Sequence, residues 1–318
     1  MHGVFLDLDT VRHQGDVELA PLHRVLTDLR AFGSTPAEQV AARIGDAEVV
    51  LANKVKLTGV LLAHTASLRL VCLAATGTDN VDLEAARGRG IAVCNVPTYS
   101  TLSVAQHAFA LMLALNQHLQ EYAALLRQGA WRQAPQFTML DYPLRELAGR
   151  KFGILGYGDI GRAVAQIAGA FGMRVLIAAR DAHDSRPGRV PLAALLPQVD
   201  VLSLHLPLTA ETRSVIGARE LALMKYDALL INTARGGLVD ERALAEALRK
   251  GRLGGAGVDV LSEEPPVSGN PLLAPDIPNL IVTPHIAWAS KEARQRVIGE
   301  VAANIAAFKA GEKRNRVV

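Results

Sequence analysis

Residues 151–171, KFGILGYGDIGRAVAQIAGAF, give the clearest indication of the fold class. KFGIL is a short apolar run typical of a buried strand, and RAVAQIAGAF has the spacing of a helix. The turn between them has the pattern GxGxxG, which in this strand–turn–helix context indicates dinucleotide binding rather than a glycine-rich turn without a ligand. Gly156 permits the tight turn, Gly158 lets the backbone approach a pyrophosphate, and Gly161 lets the helix pack on the strand. Helix-start amides bind phosphate, so the predicted cofactor-binding residues here are Gly156, Tyr157, Gly158, Asp159, Ile160 and Gly161.

Strands and helices alternate on both sides of this turn. The downstream segments are RVLIAA, VLSLHLP, ALLINTA, the helical DERALAEALRKG, GAGVDV and LIVTPHI. Upstream, Val49–Ala52, Leu70–Ala74 and Ile91–Cys94 are β-prone runs with helical stretches between them. We also expect a strand over 4–8, a helix over 22–32 and a terminal helix over 291–309. This alternation predicts an α/β protein with parallel sheets flanked by helices.

Composition excludes several classes of protein. The 318 residues suggest two domains, and half of them are hydrophobic, which suffices for a packed core. The net charge is +3 without a block of like charges, so we expect no nucleic-acid partner. Neither Cys72 nor Cys94 has metal-ligand spacing, so we expect no metal and a reducing compartment. The sequence shows no signal peptide and no 18-residue apolar window, which favours a cytoplasmic protein without a membrane span.

The strand after the glycine turn bears on the choice of cofactor. NAD-binding domains usually carry an acidic residue at the end of this strand, where it binds both ribose hydroxyls. Here that position falls on Ala179, 18 residues after Gly161. Ala179 would not repel a 2′-phosphate, and Arg180 offers it a planar donor. We therefore predict NADP(H) over NAD(H); the alternative is that Asp181 takes the acidic role and Arg180 points into solvent.

Three polar residues follow apolar runs of the same αβ series. Arg235 follows ALLI, Glu264 follows GAGV, and His285 follows LIV. Each alone is compatible with an ordinary surface or core residue. Together they supply a cation for a carboxylate, a proton donor, and a carboxylate that assists the donor, which reduction of a 2-oxo acid requires. Ligands bind beyond the carboxyl ends of parallel strands, so we expect these side chains to converge near a nicotinamide.

The sequence resembles the D-isomer-specific 2-hydroxy-acid dehydrogenase family over nearly its whole length. The motifs that carry the resemblance are GYGDIG, LHLPLTAETRSVI, INTARGGLVDERALAEAL, GAGVDVLSEEPP and TPHIA. Residues 71–115 and HIAWAS at 285–290 are most similar to the branch of glycerate dehydrogenases, or hydroxypyruvate reductases. The chain departs from common NAD-using members at Ala179.

The resemblance implies roles for individual residues. The catalytic set falls on Arg235, Glu264 and His285, and Glu264 rather than Glu263 matches the family position before Pro265. Asn53 and the amides of Thr76 and Gly77 would bind substrate together with Arg235 and His285. The remaining residues implied at the cofactor are Val104 on the nicotinamide, Asp259 at its carboxamide, and Leu206, Pro207, Thr212, Thr233 and Ala234 along its length.

The resemblance also implies a discontinuous domain organisation. Residues 1–98 and 287–318 would form a flavodoxin-like substrate domain, into which a Rossmann-type dinucleotide-binding domain, residues 99–286, is inserted. Residues 117–147 resemble the family's dimer arm, with a lid or plain surface loop as the alternative. Trp288 would either shape the substrate pocket or belong to the core.

These observations predict NAD(P)H-dependent reduction of a small 2-oxo acid to the D-2-hydroxy acid. His285 would act as general acid and base with help from Glu264, and Arg235 would bind substrate. Hydroxypyruvate and glyoxylate are the substrates that the resemblance favours, and we expect a homodimer. The alternatives are another 2-oxo acid as substrate, or a corepressor-like protein that senses dinucleotides without turnover.

Overall fold

The computed structural model describes residues 1–181 and 183–318. The strands are β1 (His2–Phe5), β2 (Asp28–Ala31), β3 (Val49–Ala52), β4 (Leu70–Leu73), β5 (Ala92–Cys94), β6 (Lys151–Leu155), β7 (Arg174–Ala178), β8 (Arg189–Val190), β9 (Val201–Leu204), β10 (Leu229–Asn232), β11 (Gly255–Val258) and β12 (Leu280–Val282). The α-helices are α1 (Ala20–Val25), α2 (Val40–Ile44), α3 (Gly59–Ala63), α4 (Leu83–Gly88), α5 (Thr101–Asn116), α6 (Leu119–Arg127), α7 (Ala130–Gln133), α8 (Asp159–Ala170), α9 (Leu192–Leu195), α10 (Ala218–Leu223), α11 (Glu241–Arg249) and α12 (Lys291–Lys309). Short 3₁₀ helices span Leu8–Thr10, Ala37–Gln39, Gly236–Leu238 and Pro271–Leu273.

The chain divides into two compact units. Unit 1 comprises Met1–Ser100 and Trp288–Val318, and unit 2 comprises Thr101–Ala287. Each contains one all-parallel sheet flanked by helices, as the alternating pattern predicts. In the part of the chain that the structure describes, no helix has the length and apolarity to span a membrane.

Unit 1 has a five-stranded sheet of order β2-β1-β3-β4-β5. Its central strands are fully buried, as expected when helices cover both faces. Successive side chains alternate between the faces. Leu51 and Cys72 pack into a core with α1 and α12, whereas Val50 and Val71 pack on the opposite face with α2, α3 and α4.

Two expected elements of unit 1 differ from the structure. The predicted helix over 22–32 is wrong: α1 ends at Val25 and β2 begins at Asp28. Only Leu22 and Leu26 of that apolar series are buried; β2 is a partly exposed edge strand paired with β1. The predicted strand over 4–8 ends at Phe5, because Leu8 begins a 3₁₀ helix.

Trp288 packs against the unit 1 core, edge-to-face with Tyr99 at 6.2 Å between ring centroids.

Unit 2 has a seven-stranded sheet of order β12-β11-β10-β9-β6-β7-β8. The order reverses next to β6, the strand that leads into the glycine turn. Helices α5 and α8 pack on one face, with Phe152 and Ile231 among the buried residues, and α9, α10 and α11 cover the other. This arrangement is a doubly wound Rossmann-type sheet, in which ligands bind beyond the carboxyl ends of the strands near such a reversal.

Candidate active site

Arg235, Glu264 and His285 follow three neighbouring strands of unit 2. Arg235 comes after β10, Glu264 lies on the loop after β11, and His285 comes after β12. These strands are consecutive in the sheet and parallel, so their carboxyl ends form one edge. The topology therefore brings the three loops together at the edge where α/β sheets bind ligands.

The His285 and Glu264 side chains form a short hydrogen bond. Nδ1 of His285 lies 2.6 Å from Oε2 of Glu264, slightly shorter than the range of about 2.7–2.9 Å for charge-assisted N–H···O bonds. The other carboxylate oxygen, Oε1, accepts from the Leu261 amide at 2.9 Å. This hydrogen bond holds the imidazole through Nδ1, so it does not involve the other ring nitrogen, Nε2. The His285 side chain is 25% exposed, so the ring is held by the protein but remains accessible.

A buried aspartate holds the main chain around His285. Asp259 is 1% exposed, and its carboxylate accepts from the amides of Ile286 and Ala287 at 2.9 and 2.8 Å. Its main-chain carbonyl accepts from the His285 amide at 2.8 Å. His285 has a φ of +55°, in the left-handed region that costs a non-glycine residue about 1–3 kcal/mol. The Asp259 contacts stabilise this conformation.

His107 belongs to the same network and was not identified from the sequence. Its Nε2 lies 3.0 Å from Thr283 Oγ1 and 3.5 Å from the Asp259 carboxylate. The Thr283 hydroxyl in turn donates to Asp259 at 2.5 Å. His107 lies on α5, whose largely apolar pattern predicts only a buried helix; a histidine within that pattern is the signal that could have marked it.

The loops that carry Arg235 and Glu264 touch through their backbones. A Cβ at Gly236 would lie 2.0 Å from the Leu261 carbonyl carbon, so only glycine allows this approach. The carbonyl of Arg235 accepts from the Asn232 side chain at 2.9 Å, and Nη1 of its guanidinium donates to the Ala234 carbonyl at 2.7 Å. The Arg235 loop is therefore held by its own hydrogen bonds and by close backbone contact with the Glu264 loop.

The glycine turn has the conformation that its sequence predicts. Gly156 has a φ of +99°, and a Cβ there would lie 2.6 Å from the His205 carbonyl. A Cβ at Gly161 would lie 2.2 Å from the Gly156 carbonyl oxygen, so the helix start packs directly on the turn. His205 accompanies this turn after β9, and burial lowers its pKa to about 4.

Other features of the turn fit a dinucleotide. Gly158 faces open space, since no heavy atom lies within 4 Å of a Cβ placed there, and it precedes the first helical residue Asp159. The amides of the first helical turn supply donors and a partial positive charge for phosphate. Thr233, after β10, has a buried hydroxyl without a hydrogen-bond partner among the described residues. A bound nucleotide could supply that partner.

The end of β7 is rich in cationic groups. Ala179 follows the strand and donates its amide to Val190 at 2.8 Å. Arg180 is exposed, and its amide donates to Asp184 at 2.8 Å. The Asp181 carboxylate accepts from the His183 amide at 2.8 Å, within its own loop. Arg189, which the sequence did not single out, stacks on the ring of Tyr157 in the glycine turn, 4.8 Å from the ring centroid.

The remaining candidate cofactor residues are distributed over α5 and two strand ends. Val104 is buried on α5. Thr212 closes the loop after β9, because its hydroxyl donates to the Pro207 carbonyl at 2.8 Å and accepts from the Thr209 amide at 2.7 Å. Leu206 and Leu208 pack against the core on one side of the sheet, and the Ala234 amide donates to Asn232 Oδ1 at 3.1 Å.

The candidate substrate residues Asn53, Thr76 and Gly77 lie in unit 1, after β3 and β4. Asn53 is buried, and its side chain donates to Thr10 at 3.0 Å. The buried Asp7, not identified from the sequence, accepts from the amides of residues 53, 54 and 55 at 2.8, 2.6 and 3.0 Å. The amides of Thr76 and Gly77 do not donate to any group in the described ranges 1–181 and 183–318, so both are free to bind an anion.

Comparison with known proteins identifies the family. A sequence model described as "D-isomer specific 2-hydroxyacid dehydrogenase, NAD binding domain" matches residues 109–287. The chain belongs to this family of oxidoreductases, and unit 2 contains its NAD(P)-binding region.

Similar proteins carry the names of related activities. A glycerate dehydrogenase of Methylorubrum extorquens is 47% identical over 282 residues, covering 88% of each chain. A hydroxypyruvate reductase of Blautia hydrogenotrophica is 40% identical, covering 89% of this chain and 88% of the relative. Among solved structures, an NADPH-dependent glyoxylate/hydroxypyruvate reductase from Sinorhizobium meliloti, in complex with NADP and malonate, has a TM-score of 0.81 and 31% identity, covering 100% of this chain and 96% of that one.

Proposed function

We propose that the protein reduces a small 2-oxo acid to the D-2-hydroxy acid, with His285 as the proton donor. The observation that carries the proposal is the 2.6 Å contact between His285 Nδ1 and Glu264 Oε2. It fixes the orientation of an accessible imidazole at the carboxyl edge of a dinucleotide-binding sheet. The ring is neither buried in the core nor fully solvated, so it is both oriented and accessible to a substrate.

The chain's own residues divide the chemistry among them. His285 Nε2 donates a proton to the carbonyl oxygen as it becomes an alkoxide, and in the reverse direction accepts it as general base. Glu264 orients the ring through its contact with Nδ1. Arg235 binds the substrate carboxylate and polarises the carbonyl. A reduced nicotinamide, when bound, supplies the hydride for C2.

The cofactor would lie along the carboxyl ends of the unit 2 strands. The phosphates would bind the amides of the glycine turn, and Asp259 would meet the carboxamide. Its carboxylate already accepts three hydrogen bonds, and an oxygen with two lone pairs can accept a further one. The other residues proposed to contact the cofactor are Val104, Gly156, Tyr157, Gly158, Asp159, Ile160, Gly161, Leu206, Pro207, Thr212, Thr233 and Ala234.

We propose that the protein prefers NADP(H) to NAD(H). Ala179 places no negative charge at the end of β7, whereas Arg180 is exposed there and Arg189 stacks on Tyr157 close by. The alternative acid, Asp181, lies two positions beyond Ala179, and its carboxylate accepts from the His183 amide within its own loop. The glyoxylate/hydroxypyruvate reductase from S. meliloti, with which the chain shares 31% identity, is NADPH-dependent.

We propose hydroxypyruvate and glyoxylate as substrates. Relatives named glycerate dehydrogenase, hydroxypyruvate reductase and glyoxylate reductase support this choice, at 47%, 40% and 43% identity. In unit 1, the free amides of Thr76 and Gly77 follow β4, and Asn53 follows the neighbouring strand β3; we propose that these groups bind the substrate carboxylate.

We also propose that the protein is a homodimer that associates through residues 117–147. This segment carries six exposed large apolar side chains, of which Phe137 and Leu140 are the most exposed at 89% and 78%; the others are Leu119, Leu126, Trp131 and Leu144, at 50–56%. Exposed apolar side chains concentrated in one segment are typical of a protein–protein contact rather than a free surface.

A turnover assay tests the proposed function. Purified protein is mixed with glyoxylate or hydroxypyruvate and with NADPH or NADH, and loss of reduced cofactor is followed by absorbance. We expect turnover with both acids and a higher kcat/KM with NADPH. Tight binding of either cofactor without turnover of these or other 2-oxo acids would contradict the proposal and favour a dinucleotide-sensing protein.

A further inference from the structure

Glu241 lies outside the proposed catalytic set but contacts the loop that carries Glu264. It is the first residue of α11, the helix that follows the Arg235 turn. Its Oε1 accepts from the Ser262 amide at 2.7 Å, and its Oε2 accepts from the Ser262 hydroxyl at 2.6 Å. Oε2 also accepts from the Asn270 side chain at 2.9 Å. One carboxylate thus binds the loop on both sides of Glu264.

Glu241 supports this loop from outside, in addition to the hydrogen bonds within the loop such as that from Ser268 to Glu263 at 3.1 Å. Residues 262–269 contain no helix or strand, and the loop is exposed at Ser262, Glu264 and Pro265. Glu264 uses one carboxylate oxygen for the Leu261 amide, directly beside Ser262, and the other for His285. Displacement of residues 261–262 would therefore move the oxygen that orients the imidazole.

Glu241 also connects this loop to the Arg235 turn. Only four residues separate Gly236 from Glu241, and Gly236 lies against the backbone of Leu261 and Ser262. The Asp240 side chain accepts from the amides of Arg242 and Ala243, so it closes the start of α11 independently of Glu241. The Glu241 carboxylate is thus available to the loop and is not used to cap its own helix.

We propose that Glu241 is a positioning residue for catalysis: it acts through Ser262 and Asn270 to keep Glu264 in hydrogen-bond contact with His285. The inference rests on the proposed function, in which that contact orients the proton donor. Because misplacement of a reacting group by about 1 Å can cost about 10²-fold in rate, loss of three contacts on the loop should lower kcat by about tenfold or more.

The test compares Glu241→Ala and Glu241→Gln with the wild type. Glutamine retains one acceptor oxygen and the side-chain length, so it should restore part of the kcat lost in Glu241→Ala. The KM for NADPH should stay within about twofold, since Glu241 contacts none of the proposed cofactor residues. Ser262→Ala, which removes one contact of three, should show a smaller loss of kcat and serves if Glu241→Ala does not fold. Glu246→Ala is the matched control, because Glu246 lies on the same helix and pairs only with Lys250, at 2.8 Å, among the described residues.

A second readout is independent of turnover. A proton held between His285 Nδ1 and Glu264 should give a downfield proton resonance in NMR spectra, assigned by its absence in His285→Gln. The resonance should be weakened or lost in Glu241→Ala and kept in Glu246→Ala. Unchanged kcat and an unchanged resonance in folded Glu241→Ala would overturn the inference while wild-type turnover still supports the proposed function. Absence of wild-type turnover would overturn the proposed function, and the resonance alone would then decide whether Glu241 holds the contact.

Discussion

The amide of His285 donates to the main-chain carbonyl of Asp259, at 2.8 Å, while the carboxylate of the same aspartate accepts from the next two amides. Asp259 thus binds the main chain on both sides of the histidine side chain. Since His285 has a positive φ, these contacts keep a strained residue in a single conformation. The position of the imidazole therefore depends on two sets of contacts: those of Asp259 with the backbone and that of Glu264 with the ring.

Replacement of Asp259 should affect both activity and stability. Asp259→Ala leaves the amides of Ile286 and Ala287 without an acceptor and removes the hydrogen bond from Thr283, and hydrogen bonds to a charged group contribute about 1.5–3 kcal/mol each. We expect the free energy of unfolding to fall by about 3 kcal/mol or more and kcat to fall by at least about tenfold. Denaturant titration and steady-state kinetics measure the two effects.

Asp276→Ala is the control for this variant. Asp276 is a surface residue that pairs with Arg249 at 2.7 Å, and exposed ion pairs contribute at most about 1 kcal/mol. If Asp259→Ala were as stable and as active as Asp276→Ala, the proposed role of Asp259 in holding His285 would be wrong.

Arg180 should determine cofactor preference. A guanidinium that binds a 2′-phosphate makes charge-assisted hydrogen bonds worth about 1.5–3 kcal/mol, so Arg180→Ala should raise the KM for NADPH by about 10- to 100-fold. The KM for NADH should change little, because NADH lacks that phosphate. Arg174→Ala, at the opposite end of the same strand, should leave both values unchanged.

Ala179→Asp tests the same site by adding a negative charge instead of removing a positive one. A carboxylate at this position would repel the 2′-phosphate and accept hydrogen bonds from the ribose of NADH. The ratio of kcat/KM for NADPH to that for NADH should fall by at least about tenfold. A wild-type preference for NADH, or no change in this ratio in either variant, would contradict the assignment.

His205 should make the protein less stable in acid. Its pKa is lowered to about 4 by burial in the folded state, against an ordinary value of 6.5 in the unfolded chain. As the pH falls from 6.5 towards 4, the unfolded state therefore binds a proton that the folded state does not, and stability is lost. At pH 4.5 this loss should amount to about 2–3 kcal/mol relative to pH 7.

His205→Gln should remove that part of the pH dependence. Glutamine can still hydrogen-bond Ser203, whose hydroxyl lies 2.9 Å from His205 Nε2. Denaturant unfolding of both proteins at pH 7 and pH 4.5 gives the comparison. Equal losses of stability in the two proteins would show that His205 is not the titrating group.

The exposed apolar side chains of residues 117–147 should control association. Phe137→Ser combined with Leu140→Ser removes two strongly exposed apolar groups and should shift the protein from dimer to monomer in sedimentation experiments. Val60→Ser, at a valine 75% exposed in unit 1, is the control for a loss of surface apolarity elsewhere. A wild-type monomer, or a dimer that persists in the double variant, would contradict this proposal.

Sequence patterns predict most of the architecture, because parallel strands buried on both faces appear as continuous apolar runs. The runs ending at Leu155 and Asn232 are such strands, whereas the run ending at Val282 is an apolar, half-buried edge strand; the ends of the three runs locate the candidate site. The edge strand β2 was missed for the complementary reason. Its residues are mostly exposed, so Leu29 and Phe32 continued the helical spacing of Leu22 and Leu26 without a signal for the change.

Contacts within the site are harder to predict than its location. His107, Glu241 and Arg189 meet the site only through tertiary packing, from an apolar helix, a helix start and a short edge strand respectively. Nothing in their local sequence distinguishes them from ordinary polar residues. The family resemblance implied a role for Asp259 at the cofactor, but its contacts with the chain after His285 became apparent only from the structure.

In the proposed mechanism, His285 transfers the proton while its ring is held by Glu264. The most direct measurement is the kcat of His285→Gln for hydroxypyruvate and NADPH, with NADPH binding measured separately by fluorescence titration. General acid catalysis contributes about 10²- to 10⁴-fold, so we expect kcat to fall by that factor while the Kd for NADPH stays within about twofold. A His285→Gln protein with near-normal kcat would contradict the claim.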